Sequence, residues 1–234
     1  MTNINQSKIK KATKVFNSVF NKYDIMNDLM SLGIHRLWKK RLIEWMNPKK
    51  DDHLIDMAAG TGDIANAFLS RIKNQGYVSC VDPNKLMIEQ GRKKLKYLNN
   101  IQWHVSSAEN LPFKDNIFDI YSVSFGVRNF SDTQKALREA HRVLKSGGRF
   151  ICLEFSKVEN EILNKVYKTY SKTIPFIGKY IVGDSEPYDY LIKTIDEFYD
   201  QESFKKIILD NGFNNVEYRN LSGGIVAIHS AWKI

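Results

Sequence analysis

Little in this 234-residue chain can build a covalent or metal framework. It has two cysteines and five histidines. Cys80 and Cys152 fall in separate apolar runs where a buried free thiol is the ordinary state, and no Cys or His spacing matches a metal site. A disulfide scaffold and a metal centre are therefore excluded as organising features. Long apolar runs are missing too. None reaches the roughly 20 residues of a membrane span, and the mean hydropathy of -0.39 points to a water-soluble fold. Acidic residues are absent before Asp24, whereas Lys8, Lys10, Lys11 and Lys14 crowd that stretch. It also lacks arginine and merges early into a patterned segment, so a basic helix is expected there and not a removable transit peptide.

What the chain does have is a strand that runs into a small-residue turn. Leu54-Ile55-Asp56-Met57 is apolar apart from one acid, Ala58-Ala59-Gly60-Thr61-Gly62 follows, and Asp63 opens a helical pattern. Glycines in such a turn let the backbone approach a ligand, which the amides of the helix start then face. A ligand is expected at the carboxyl end of this strand, against Asp56, Gly60, Thr61 and Gly62. Glycine pairs also occur in tight turns that bind nothing, but the next strand adds a second mark. Tyr77-Val78-Ser79-Cys80-Val81 ends in Asp82, about 20 residues past the glycines, where doubly wound folds place the acid that accepts hydrogen bonds from ribose.

Ribose leaves nicotinamide dinucleotides and S-adenosyl-L-methionine both open. Asp56 and Asp63 would repel a pyrophosphate and attract a ligand carrying an ammonium and a sulfonium, so local charge favours S-adenosyl-L-methionine. A nicotinamide-dependent oxidoreductase is the alternative.

The formal charge of +9 fits an anionic neighbour, either nucleic acid or membrane phosphate. A lysine-rich composition also follows from an AT-rich genome. Val15, Phe16, Val19, Phe20 and Tyr23 recur at helical spacing opposite Lys14, Asn17, Asn21 and Lys22. The expected helix either packs on the domain or forms a lid over a hydrophobic substrate.

The remaining pattern alternates strand and helix. A helix over 36–46 carries Leu37, Trp38, Leu42, Ile43, Trp45 and Met46 as an apolar stripe. Strands are expected over 101–105, 118–124 and 150–155, with helices over 84–97 and 132–144 and a tight turn at Gly147 and Gly148 before the fifth strand. Aromatic-rich helical segments fill 157–199, and two strands, 216–220 and 225–232, flank Ser222-Gly223-Gly224 as a closing hairpin. The fold class is α/β: a doubly wound seven-stranded sheet with a C-terminal antiparallel hairpin. No NPPY-like run follows the fourth strand to stack a flipped base, and no nucleic-acid partner is expected.

The run from Tyr23 to Lys39 resembles a specific family. Tyr23, Asp24, Met26, Asn27, Asp28, Leu29, Met30, Ser31, Gly33, His35, Arg36, Trp38 and Lys39 match the YDxMNDLMSxGxHRxWK signature of the ubiquinone/menaquinone biosynthesis C-methyltransferases, the UbiE/MenG family. The Arg128-Asn129 pair, Leu153-Glu154-Phe155-Ser156 and Asn220-Leu221 through His229 agree with it, while Ser146 stands where the family usually has proline. The resemblance implies a class I S-adenosylmethionine-dependent methyltransferase acting on a ring carbon of a polyprenylated benzoquinol or naphthoquinol. A different small phenolic acceptor is the nearest rival.

It also implies cofactor contacts at Ser107, Ala108 and Ser124. Glu109 beside them reads equally well as a solvated loop acid. Arg128 is the candidate to stabilise the acceptor's oxyanion and His35 the candidate base. Four segments follow: 1–50, an N-terminal helical lid and substrate segment; 51–156, the Rossmann-like cofactor-binding core; 157–200, a helical acceptor-pocket insertion; and 201–234, a last helix and two strands completing the sheet. A cytoplasmic protein touching the inner face of the membrane is expected, with a quinone-biosynthesis complex and a homodimer as further expected associations.

Overall fold

The computed structural model describes residues 28, 31, 33–182 and 185–234. The amphipathic stretch over 15–23 lies outside them. Described helices are α1 (His35–Met46), α2 (Asp63–Arg71), α3 (Lys85–Lys94), α4 (Thr133–Val143), α5 (Glu161–Val182), α6 (Glu186–Asp196) and α7 (Gln201–Asp210). Strands are β1 (His53–Met57), β2 (Tyr77–Asp82), β3 (Ile101–Val105), β4 (Phe118–Ser124), β5 (Leu144–Phe155), β6 (Asn214–Leu221) and β7 (Val226–Trp232).

The strands form one seven-stranded sheet in the order β3-β2-β1-β4-β5-β7-β6, parallel except for β7. Both faces are covered, which is why the central strands are near-continuous apolar runs. Side chains alternate between two cores. Leu54, Cys80, Ile151, Leu153 and Ile228 face α1 and α2 on one side, with Ile174 and Leu191 of the insertion. Ile55, Val81, Tyr121, Phe150 and Cys152 face Leu137 of α4 and Phe204 of α7 on the other. Both cysteines are buried free thiols.

Helix starts follow local chemistry. The side chains of Asn84, Asp132 and Asp200 cap α3, α4 and α7 by accepting amide hydrogen bonds from the first turn. On α1, Trp38, Leu42, Ile43 and Met46 are buried, whereas Leu37, expected in the same stripe, is 51% exposed. The stripe is narrower than the sequence suggests because α1 rests on the sheet along one edge.

The expected turn before the fifth strand lies inside it. β5 begins at Leu144, opposite Phe118, and its register then shifts so that Arg149 pairs with Ile120. Gly147, at φ 77°, sits in the resulting bulge, where a residue free to adopt positive φ absorbs the extra backbone.

Two connections tie the early helix to the last strands. The Trp38 indole Nε1 donates to Ser222 Oγ at 2.9 Å. Arg149 Nη1 donates to the Trp45 carbonyl at 2.6 Å, and its guanidinium lies over the rings of Trp45 and Trp232 at 5.6 and 5.1 Å.

Candidate active site

The chain leaves β1 for β2 on one side of the sheet, while β4 lies on the other. This strand-order reversal opens a crevice at the carboxyl edge of β1 and β4, the place where open α/β sheets hold ligands. Ala58 and Phe125, the first residues past the two strands, both take φ 56°, an uncommon backbone state for residues with a Cβ that gathers at functional sites. Gly126 lets the two turns meet, because a Cβ there would lie 2.5 Å from the Ala58 Cβ.

The crevice has two connected parts. The larger, about 800 Å³ counted to its mouth, is lined by Gly60, Asp82, Ser107, Ala108, Ser124 and Asn129 among others. The smaller, about 370 Å³, shares Ala58, Gly60, Ser124 and Phe125 and adds Lys39, Asp56, Thr61 and Asp63. The structure thus brings together seven of the eight residues expected to bind the cofactor. Gly62 faces elsewhere: at φ 85°, a Cβ on it would meet Leu95 and Trp103 at 2.8 Å. Its contribution is a tight turn and a closely seated α2.

Asp82 holds the turn with both carboxylate oxygens. Oδ2 accepts from the Gly60 amide at 2.9 Å and Oδ1 from the Asn84 amide at 2.8 Å. Each oxygen keeps acceptor capacity for a hydroxyl. Burial pushes this carboxyl up to about 6, against the pull of the two amides. Gly60, at φ 54°, has nothing within 4 Å of where a Cβ would stand, so its open side faces the crevice.

Asp56, on β1 opposite Ser122 of β4, is 1% exposed. Its Oδ1 accepts from Ser122 Oγ at 2.9 Å, and Oδ2 has no hydrogen-bond partner among the described residues. Burial raises this carboxyl to about 7, with the Ser122 bond and the charge of Lys39 acting the other way. Ser124 Oγ is likewise buried with no partner among the described residues. Two buried polar atoms without partners, beside an open glycine, await a polar ligand.

Asp63 corrects the electrostatic expectation. It is bonded by Lys39 Nζ at 2.7 Å and Lys94 Nζ at 2.8 Å. Burial alone would raise its carboxyl, but the two lysines outweigh that and hold it well below the usual carboxylate range. Its charge is met locally, which leaves Asp56 as the acid of the smaller part of the crevice able to answer a cation. Glu109, which the sequence left open, is buried. Its Oε1 accepts from Ser131 N, Ser131 Oγ and Asp132 N at 2.7, 2.8 and 3.2 Å. It ties the loop after β3 to the start of α4.

Arg128 stands behind the crevice in a buried ion pair. Its Nη1 donates to Glu154 Oε1 at 2.6 Å and to the Phe125 carbonyl at 2.7 Å, and its guanidinium lies over Phe155. Asn129 does line the crevice, and the Tyr190 hydroxyl of α6 donates to its Oδ1 at 3.0 Å. His35 lines neither part. Its Nε2 pairs with Asp28 Oδ1 at 2.9 Å, and its Nδ1 is buried with no partner among the described residues. Burial lowers its basicity more than Asp28 raises it. The ring belongs to the start of α1, where Arg36 also bonds Asp28.

A third cleft of about 1140 Å³, counted to its mouth, opens between the end of β5 and the insertion helices. Ser156, Asn164, Tyr167, Ser171 and Ile195 line it. The hydroxyl of Ser156 is buried there with no partner among the described residues, and that of Tyr167 is buried beside Ser171.

A family model for the ubiE/COQ5 methyltransferase family matches residues 1–233. The chain belongs to that family. Among ubiE/COQ5 relatives, the ubiquinone/menaquinone biosynthesis C-methyltransferase UbiE of Rickettsia bellii is 48% identical, over 100% of this chain and 99% of its own. The UbiE of Francisella philomiragia is 49% identical over 97% of this chain and 93% of its own. Among solved structures, an S-adenosylmethionine-dependent methyltransferase from Aquifex aeolicus aligns at a TM-score of 0.67, with 18% identity over 93% of this chain and 98% of that one. It shares the fold of this ubiE/COQ5 chain.

Sequence reasoning passed over Lys39 and Asn129 as lining residues. Lys39 arrives from a helix before the first strand, and only its place in the Tyr23–Lys39 signature marks it. Asn129 stands in the Arg128-Asn129 signature pair, and nothing in the sequence gives it a contact.

Proposed function

We infer that this chain is an S-adenosylmethionine-dependent C-methyltransferase that methylates the quinol ring of a polyprenylated ubiquinone or menaquinone precursor. The observation that carries the cofactor is the crevice at the strand-order reversal, where Asp82, Ser124 Oγ and Asp56 Oδ2 supply polar oxygens around one space and Gly60 leaves room for a ligand. Asp82 holds the ribose hydroxyls, Ser107 and Ala108 the adenine, and Asp56, Thr61 and Ser124 the amino-acid end. S-adenosylmethionine supplies the electrophilic methyl group when bound.

The acceptor enters from the insertion side. A cleft lined by Ile195 and Tyr167, with the unmet hydroxyl of Ser156, suits a mostly apolar ring that carries hydroxyls of its own. A phenolic ring carbon becomes a good nucleophile as the neighbouring hydroxyl gives up its proton. We assign to Arg128, which stands behind the crevice, the donor for the oxygen left behind, a role that requires its guanidinium to be reached by the bound acceptor. With Glu154 balancing its charge, it offers a directed donor and not a net positive field. Holding the ring carbon in line with the methyl–sulfur bond lowers the barrier by roughly 7–11 kcal/mol.

The substrate's isoprenoid tail places the enzyme at a membrane surface. Among the described residues no helix is long and apolar enough to cross one. α5 instead presents Ile162, Val166, Phe176 and Tyr180 to solvent, between 61% and 94% exposed. Lys165, Lys168 and Lys179 are exposed on the same helix. An apolar stripe edged by lysines is the composition of a helix that lies on anionic lipid.

The deciding experiment incubates the purified protein with S-adenosylmethionine and a short-chain demethylmenaquinol or its benzoquinol counterpart, followed by detection of S-adenosylhomocysteine and the methylated quinol. Cofactor binding without turnover on any quinol would overturn the acceptor assignment.

A further inference from the structure

Lys39 is placed unlike any other lysine of the α1 helix. Its Nζ is drawn in to Asp63 Oδ2 at 2.7 Å, and the side chain is only 15% exposed. It lines the smaller part of the crevice beside Asp56, Thr61 and Ser124, where it is the one cation among the described lining residues. The amino-acid end of the cofactor carries two opposite charges. An ammonium is answered by the Asp56 carboxylate, whose Oδ2 has no partner among the described residues. The α-carboxylate needs a donor of opposite sign, and a carboxylate in a confined site is costly unless paired.

We propose that Lys39 binds the α-carboxylate of S-adenosylmethionine, so that the helix before the first strand completes the cofactor site. The proposal rests on the cofactor reading given above and adds a residue to it. Asp63 does not depend on Lys39 alone, because Lys94 Nζ bonds its other oxygen at 2.8 Å. Lys39 can therefore turn toward the ligand while Asp63 stays paired. Lys39 is one turn from His35, which is bonded to Asp28. Binding the carboxylate thus adds a ligand contact to the start of α1, a helix already held through Trp38 and Trp45.

The test compares two ligands that differ only in this group: S-adenosylmethionine and its decarboxylated analogue, S-adenosyl-3-methylthiopropylamine, each titrated calorimetrically into the full chain. A charge-assisted contact predicts that wild type prefers the carboxylate-bearing ligand by roughly ten- to a hundredfold. Lys39→Gln should lose most of that preference while binding the decarboxylated ligand within about threefold of wild type, and Lys39→Arg should recover part of it. Lys94→Gln removes the other lysine from Asp63 and its 3.4 Å contact with Thr61 Oγ1; it should keep the preference even if both ligands weaken alike, and loss of the preference there overturns the role of Lys39 by assigning the carboxylate to Lys94. Equal loss of both ligands in Lys39→Gln, or an unchanged preference, overturns the role of Lys39. Wild-type protein that binds neither ligand overturns the cofactor reading instead.

Discussion

Arg128 and Glu154 meet in the protein interior, Nη1 to Oε1 at 2.6 Å, with side-chain exposures of 5% and 2%. Glu154 also accepts the Phe155 amide at 3.0 Å, and Arg128 holds the Phe125 carbonyl at 2.7 Å. The pair therefore joins the ends of β4 and β5 directly behind the crevice. Removing one partner strands a buried charge, whereas removing both does not. Glu154→Ala is expected to lower stability by about 3–5 kcal/mol, measured by urea denaturation. Arg128→Met with Glu154→Met should recover most of it. If Arg128 serves the acceptor, turnover stays lost in that stable double variant while cofactor affinity remains near wild type.

Asp82 gives the most direct binding prediction. Losing two ribose hydrogen bonds to a charged acceptor costs about 1.5–3 kcal/mol each, so Asp82→Ala should weaken S-adenosylmethionine at least tenfold. Because Asp82 also accepts the Gly60 and Asn84 amides, Asp82→Asn is the milder companion. Calorimetry on both, beside their melting temperatures, separates ligand contact from turn geometry. Unchanged affinity in both removes Asp82 from the site.

Asp56 makes stability and binding respond to pH in opposite directions. Its carboxyl titrates near 7 in the fold because it is buried, against about 3.9 in an unfolded chain. Between those values the folded state holds the extra proton. The group's contribution is therefore fully present below about pH 4 and is lost as pH rises through 7, by roughly 4 kcal/mol in all. The cofactor's ammonium favours the ionised acid, so affinity should rise from about pH 6 to pH 8 as the proton leaves. Asp56→Asn should remove the part of both curves centred near pH 7 and leave the part that Asp82 contributes near pH 6, read by denaturation and calorimetry across that range.

The exposed stripe of α5 predicts retention on lipid. Vesicles containing anionic phospholipid should float more protein than neutral ones, with the difference lost in raised salt. Val166→Glu with Phe176→Glu should abolish it and leave S-adenosylmethionine affinity unchanged. Unaltered retention would exclude this face. A fall in solution mass from dimer to monomer in the same variant would make the face a contact between two copies.

The sheet and the grouping of most of the candidate site's residues around one crevice are legible in the sequence because they are written locally. Asp56, the Gly60 turn and Asp82 lie within one βαβ unit, where spacing alone sets geometry. Ser107, Ala108 and Ser124 needed the family resemblance, since nothing in a short polar run says which strand end it faces. The partners that determine charge were not legible. Asp63 looked like a free acid until Lys39 and Lys94 were seen to close on it, from 24 residues before and 31 after. Arg128 looked like an available cation until Glu154 arrived from the next strand, 26 residues on. His35 looked well placed by chemistry, and the fold bonds it to Asp28 outside the crevice. Pairing across the fold set the charge of these groups, and pairing is the property that sequence separation conceals.

The anchoring of α1 sets an order of events. The ribosome delivers this helix well before Ser222 and Trp232, which receive Trp38 and flank Arg149 against Trp45. A growing chain has Asp82 and the Gly60 turn long before α1 gains these far anchors. Full seating of α1 therefore waits until the chain has emerged at least as far as Trp232.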